Sequence, residues 1–263
     1  MNTRIIALVN QKGGTGKTTS TINLGAGLAR RGRRVMLVDL DPQASLTYSL
    51  GLEVKDGRPT IYEVLCGKAT AAQATITREG RNGGPRYDVL PATLDLEAAE
   101  LELAPEMGRE LFLKEALEPI AAGYDYIIID APPRLTILAL NALAAANELF
   151  IPLQAEVLPL KGMRALTNTV DLIRRRLNPR INITGVIVTR YSGRRTLGRE
   201  VVDAINDLYG AAVFNTRIRE NVSLAEAPGF GMDIYEYKPG SNGALDYATL
   251  SEEVLAQEGG RDK

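Results

Sequence analysis

The chain has 263 residues, 45% of them hydrophobic, and sets 31 Lys+Arg against 32 Asp+Glu; it can build a real core but has no whole-molecule field to attract nucleic acid or an anionic membrane. Histidine is absent and Cys66 is the single cysteine, which excludes imidazole bases, His-ligated zinc, an intrachain disulfide and a Cys-X-X-Cys pair. The opening run Ile5-Ile-Ala-Leu-Val9 is too short for a signal peptide and no stretch approaches the roughly 18 apolar residues of a membrane span, so a cytoplasmic chain is expected.

Short β-branched runs alternate with longer segments of helical period, which predicts an α/β fold with a mainly parallel central sheet and helices on both faces. In chain order, strands are predicted over 5–10, 34–39, 87–90, 126–130, 148–153, 183–189 and 212–215. Glu79 to Pro85, with three glycines and a proline, predicts a surface turn, and Leu160, Met163, Leu166, Val170, Ile173 and Leu177 predict an amphipathic helix with one core-facing stripe. The expected organisation is one domain over 1–263, with 258–263 a disordered tail and no room for a helix-turn-helix before Ile5.

Between the first strand and an apolar helical pattern lies Gln11-Lys-Gly-Gly-Thr-Gly-Lys-Thr-Thr19. Gly13, Gly14 and Gly16 let backbone N–H groups, including that of Thr15, curl around phosphate oxygens, and the following helix start adds its positive dipole end. Lys17 would reach the β- and γ-phosphates, Thr18 would place its hydroxyl on Mg2+, and Thr19 lies within reach of the α-phosphate. The ordinary Walker A pattern wants glycine where Gln11 stands, and Lys12 beside it marks a deviant loop. A dinucleotide fingerprint fails because its last glycine would fall on Thr19.

Two strand ends complete the chemistry. Val35-Met-Leu-Val-Asp39-Leu-Asp41 places two carboxylates two residues apart, so both can leave the strand's C-terminal edge on one side, and one could orient water. Tyr126-Ile-Ile-Ile-Asp130 is an apolar strand ending in Asp, the Walker B arrangement for a Mg2+ shell.

These residues resemble the ParA/MinD ATPases and, within them, the ParA (Soj-like) partition proteins. The resemblance rests on 12–19, on Val-Asp-Leu-Asp-Pro-Gln at 38–43, on Ile-Ile-Ile-Asp-Ala-Pro-Pro at 127–133, on Pro152-Leu-Gln-Ala-Glu156 and on Asn221-Val-Ser-Leu-Ala-Glu-Ala-Pro228. It implies an ATP- and Mg2+-dependent ATPase that forms a homodimer face to face, with Lys12 reaching the partner's phosphates, Asp41 positioning water, and Asp39 and Asp130 at the metal and switch region. It places adenine near Thr189, Arg219 and Asn221, with Arg219 standing where Soj-like relatives usually carry proline.

The same resemblance implies ATP-dependent binding of nonspecific double-stranded DNA, association with the nucleoid, and a ParB-like partner that stimulates hydrolysis. Arg190-Tyr-Ser-Gly-Arg-Arg-Thr-Leu-Gly-Arg199 offers the footprint through Arg190, Arg194, Arg195 and Arg199, joined by Arg217. Two alternatives stay open: a ParA-like positioning ATPase for a protein cargo, and a MinD-like membrane-associated regulator. Gly243 to Gly260 holds no lysine or arginine, which counts against a membrane-binding tail. A nitrogenase-reductase-like reading fails because its cluster needs two cysteines per subunit.

Overall fold

Side-chain alternation along buried strands sets the layers. The computed structural model describes residues 3–55, 57–155, 160–192 and 196–258, with backbone alone at 82, 160–166 and 196–199. In β1 (Arg4–Leu8), β2 (Val35–Asp39) and β5 (Tyr126–Asp130), Ala7, Met36, Val38, Ile127 and Ile129 enter one core. Ile6, Leu8, Val35, Leu37, Tyr126 and Ile128 enter the other. Period-two alternation of residues that are all apolar leaves neither face for water, so helices cover both.

The remaining strands are β3 (Ile76–Arg78), β4 (Tyr87–Leu90), β6 (Glu148–Gln154), β7 (Asn182–Tyr191) and β8 (Val213–Arg219). The described residues form one sheet in the order β3-β4-β2-β5-β1-β6-β7-β8, parallel throughout except for the antiparallel β3–β4 pair. The helices are α1 (Lys17–Ala29), α2 (Ser45–Ser49), α3 (Ile61–Leu65), α4 (Ala71–Ala74), α5 (Leu96–Leu103) and α6 (Phe112–Ala121). They continue with α7 (Ile137–Ala145), α8 (Leu160–Arg176), α9 (Thr196–Tyr209), α10 (Val222–Glu226), α11 (Ile234–Tyr237) and α12 (Asn242–Ala256). The chain reverses its direction of strand addition at β1, with β5 on one side and β6 on the other. Ligand crevices of open α/β sheets sit outside the carboxyl strand ends at such a point.

The predicted α/β architecture is present, with three local differences. β3 is unannounced by the sequence: a three-residue edge strand has too few positions to show alternation. β1 stops at Leu8; past it the Val9 N–H still reaches the carbonyl of Phe150 (3.1 Å), and the Asn10 side chain donates to the carbonyl of Pro152 (2.7 Å). β8 runs on to Arg219 beyond the expected end at 215. The helix expected over 160–177 is α8, and a 3-10 turn at Arg81–Gly83 fills the expected turn. Glu258, placed in the tail by the sequence, is held by Arg33 at 2.6 Å, and residues 259–263 lie outside the described residues.

Two contacts brace the helix that carries the phosphate loop. A Cβ added at Gly27 of α1 would lie 2.2 Å from Ser251 Oγ of α12 and 2.6 Å from the Tyr235 hydroxyl, so glycine is what allows α1 and α12 to touch. Beneath them the buried Arg4 guanidinium makes a two-pronged pair with Glu148 (2.8 Å each) and donates to the carbonyl of Val254 (2.7 Å). That bonding satisfies most of its donors, the condition under which a buried ion pair is tolerable.

Candidate nucleotide-binding site

The loop between β1 and α1 is shaped by two left-handed residues, Gly14 (φ +72°) and Gly16 (φ +90°). Gly16 occupies the N-cap position, where no side chain bonds the free N–H groups, and the first turn of α1 has no acid. An uncapped helix start with open amides is an anion site in waiting. The loop is tied down from behind: Thr189 Oγ1 at the end of β7 donates to the carbonyl of Thr15 (2.9 Å). The Gln154 amide at the end of β6 donates to the carbonyl of Gly14.

The two loop lysines differ in environment. Lys17 is 7% exposed, and burial pushes its pKa below the ordinary value, opposed by the carboxylates of Asp130 and Asp41. A buried ammonium in that state calls for a negative partner. Lys12 is exposed; its backbone N–H donates to Asn10 Oδ1 (2.9 Å) and its ammonium rests on Gln154 Oε1 (3.3 Å).

Thr18 Oγ1 donates to Asp130 Oδ2 at 2.6 Å, while Asp130 Oδ1 is buried without a hydrogen-bond partner. Burial, then the charge of Asp39, pushes the Asp130 carboxyl well above its ordinary range, and the Thr18 bond opposes this. An orphaned buried oxygen beside a threonine hydroxyl fits a hard cation. No cluster of three or more His, Cys, Asp or Glu able to hold a metal exists among the described residues. The Thr18 hydroxyl and the unpartnered Asp130 oxygen match the donor set of Mg2+, which keeps waters and takes one or two protein oxygens with phosphate.

Asp39 lies in the same recess but is otherwise employed. Its Oδ2 accepts the N–H (2.8 Å) and hydroxyl (2.7 Å) of Thr47, and Thr47 Oγ1 in turn accepts the N–H of Ala92 (3.0 Å). Burial raises its pKa to about 6, opposed by the Thr47 bonds. Asp39 therefore braces the loop after β2 and stands behind the Thr18–Asp130 pair. Asp41 is half-buried, with Oδ1 accepting the Gln43 N–H (3.0 Å), and the loop continues through Ala44 at φ +50°. A left-handed alanine is a costly conformation that its surroundings must impose.

A cavity of about 410 Å³ opens beside the loop and brings Gly14, Gly16, Thr19, Thr189, Arg219 and Asn221 together. Arg219 is committed to Asp246 (2.6 and 3.0 Å), and Asn221 Oδ1 caps α10 through the Ser223 N–H (2.8 Å). Of the expected DNA-facing arginines, Arg190 is exposed at φ +49° with its guanidinium 3.4 Å from Glu220. Arg217 does not join it: it is half-buried in β8 and donates to the carbonyl of Phe214. Arg194, Arg195 and the side chain of Arg199 lie outside the described residues, as does Glu156. Asn10, Thr47 and Gln154 were not among the site residues read from the sequence. Gln154 alone had a signal, in the run Pro152-Leu-Gln-Ala-Glu156.

A family model described as an AAA domain matches residues 3–183. The chain is 44% identical over 253 residues to the sporulation initiation inhibitor protein Soj of Bacillus subtilis, covering 96% of this chain and 98% of that one. It is also 44% identical over 258 residues to the chromosome-partitioning ATPase Soj of Treponema pallidum, covering 98% and 99%. The chain belongs to the Soj/ParA family. Solved structures similar to this family member include the cobyrinic acid a,c-diamide synthase of Mycobacterium smegmatis with bound ATP analog and magnesium. Its TM-score is 0.82 at 35% identity, over 96% of this chain and 94% of that one. The cell division ATPase MinD of Pyrococcus furiosus matches with a TM-score of 0.76 at 29% identity, over 97% and 99%. No helix among the described residues is long and apolar enough to cross a membrane.

Proposed function

We propose that this chain is a Mg2+-dependent ATPase of DNA partition, a single-domain switch whose ATP-bound homodimer holds nonspecific DNA until a ParB-like partner stimulates hydrolysis. The observation that carries it is the meeting of buried Lys17, the Thr18–Asp130 pair with its orphaned oxygen, and exposed Lys12 around one uncapped helix start. The Soj relatives and the nucleotide- and magnesium-bound neighbour support it.

The triphosphate would lie against the amides of 13–16, with Lys17 on its terminal phosphates and Thr19 at the α-phosphate. Thr18 and Asp130 would hold Mg2+, which supplies charge neutralisation on the phosphate oxygens. Asp41, held by the Gln43 turn at the edge of the recess, orients the attacking water. Lys12 leaves Gln154 and crosses to the phosphates of the second subunit, the place of an arginine finger in other ATPases. The adenine takes the 410 Å³ cavity between Thr189 and Arg219–Asn221. Arg190, Arg194, Arg195 and Arg199 meet the DNA backbone; Arg217, turned inward, contributes at most to shaping β8.

The membrane-associated alternative is disfavoured by α12: Ala244, Tyr247, Leu250 and Val254 are spent on the core. An Asp41→Ala variant tests the reading. With ATP it should accumulate as a dimer and shift duplex DNA at low salt, and its affinity should fall with a log-log salt slope of about −0.9 per phosphate contacted. No shift at any salt concentration removes the central step.

A further inference from the structure

The near-neutral balance of the whole chain conceals a local excess. Residues 95–118 hold eight acidic side chains and two basic ones, while the chain as a whole carries −1. This segment, α5 and α6 with the turn between them, forms one wall of an open groove of about 840 Å³ whose other wall is α3 and α4. The floor is apolar, with Val64, Leu65, Phe112, Ala116 and Ile120, and shares no residue with the nucleotide cavity.

The rim is negative and unspent. Lys68, the cation in the lining, is already taken by Glu102 (3.1 Å) and the Tyr62 hydroxyl (3.2 Å). Glu106 and Glu115 are exposed and form no ion pair among the described residues. Pro119 lies inside α6 and has no N–H, so the carbonyl of Glu115 on the same wall lacks its i+4 helical donor. Beside the groove Leu101 is 81% exposed and Met107 94% exposed. Exposed apolar side chains next to an apolar trough mark a surface that gains by being covered.

We propose that this groove docks a basic amphipathic helix of a partner protein. An apolar stripe at i, i+3, i+4 and i+7 fills the floor, and flanking lysines or arginines meet Glu106, Glu115 and the Glu115 carbonyl. The acidic rim repels duplex DNA and anionic lipid, which leaves a cationic protein segment as the complementary occupant. The groove is separate from the nucleotide cavity, so the proposal stands whether or not the partition reading does.

Two synthetic helices of about 18 residues with the same leucine stripe, one with lysine and one with glutamate on the polar face, provide the probe. Binding is followed by fluorescence anisotropy of the labelled peptide. Cys66, the only thiol of the chain, lines the groove, so its rate of maleimide modification reports occupancy. Burial pushes this thiol up to about 11, so the reaction is slow and its protection easily timed. We expect the lysine peptide to bind and to slow Cys66 modification, with the glutamate peptide at least about tenfold weaker. The exposed double substitution Glu106→Lys/Glu115→Lys should weaken the lysine peptide by about tenfold or more while leaving the melting temperature in place. The proposal is overturned if both peptides bind alike, if Cys66 stays equally reactive with peptide bound, or if the double variant binds as the parent does. It also fails if raising the protein concentration alone protects Cys66, which makes the groove a contact between copies.

Discussion

Charge is handled in opposite ways at the carboxyl ends of β1, β2 and β5 and at the β7–β8 edge. At the first, Lys17 and Asp130 are buried, and Asp130 Oδ1 has no partner. At the second, Arg190 and Arg219 are exposed and each already faces a carboxylate of its own chain, Glu220 and Asp246. Buried, incompletely paired charge is expensive and persists where a ligand completes it. Exposed, paired charge costs little and competes with any phosphate that approaches. The loop face thus keeps its charge incompletely paired, and the arginine edge keeps its charge paired within the chain.

The sharpest way to break this contrast is at the two loop lysines. Lys12→Ala should lower hydrolysis on the order of 10³-fold, the scale of a missing arginine finger, with ATP affinity changed by about threefold or less because Lys12 contributes little to its own subunit's site. Steady-state phosphate release and nucleotide titration separate the two effects. Lys17→Ala should weaken ATP binding on the order of 100-fold, since it removes a desolvated charge partner; equal loss of affinity in both variants would erase the division between them.

The orphaned oxygen offers a test by stability. Because burial raises the Asp130 pKa, the native state favours its neutral form. That contribution is present below the ordinary value of about 4 and is lost as pH rises through the raised one. Asp130→Asn should therefore melt a few degrees higher than the parent at pH 8 in chelator without nucleotide, with the gain shrinking toward pH 4, while hydrolysis is lost. A lower melting temperature at pH 8 would show that the apo site tolerates the charge. The smallest effect lies at the other region: Glu220→Gln should tighten duplex binding with ATP by about two- to threefold at low salt, since an exposed pair is worth under about 1 kcal/mol. The gain should vanish at high salt.

The positions of the phosphate loop, Asp39, Asp41 and Asp130 at the carboxyl strand ends were legible, though not the Thr47 bonds of Asp39, because each lies within one strand and its following turn, and short-range pattern is what a sequence displays. Asn10 was not, and Gln154 only as a member of the run 152–156, because their partners lie 140 to 142 residues away and their roles arise from β6 lying beside β1. Thr47 was missed for a nearer reason: eight residues from Asp39, it is brought back by a loop with a left-handed alanine that no propensity announces. Arg217 lies half-buried within β8, because that strand runs on to Arg219 beyond the expected end at 215. The groove between α3 and α6 was invisible for the same physical reason as Gln154: its acids are local in sequence, but its floor comes from two separate stretches.

The fit of Gly27 against Ser251 and Tyr235, together with the bond from Arg4 to the carbonyl of Val254, ties β1 and α1 to residues made 208 to 250 positions later. During synthesis the face of α1 at Gly27 therefore waits for Ser251 of α12. A nascent chain lacking 242–256 carries the whole phosphate loop but not the brace behind it.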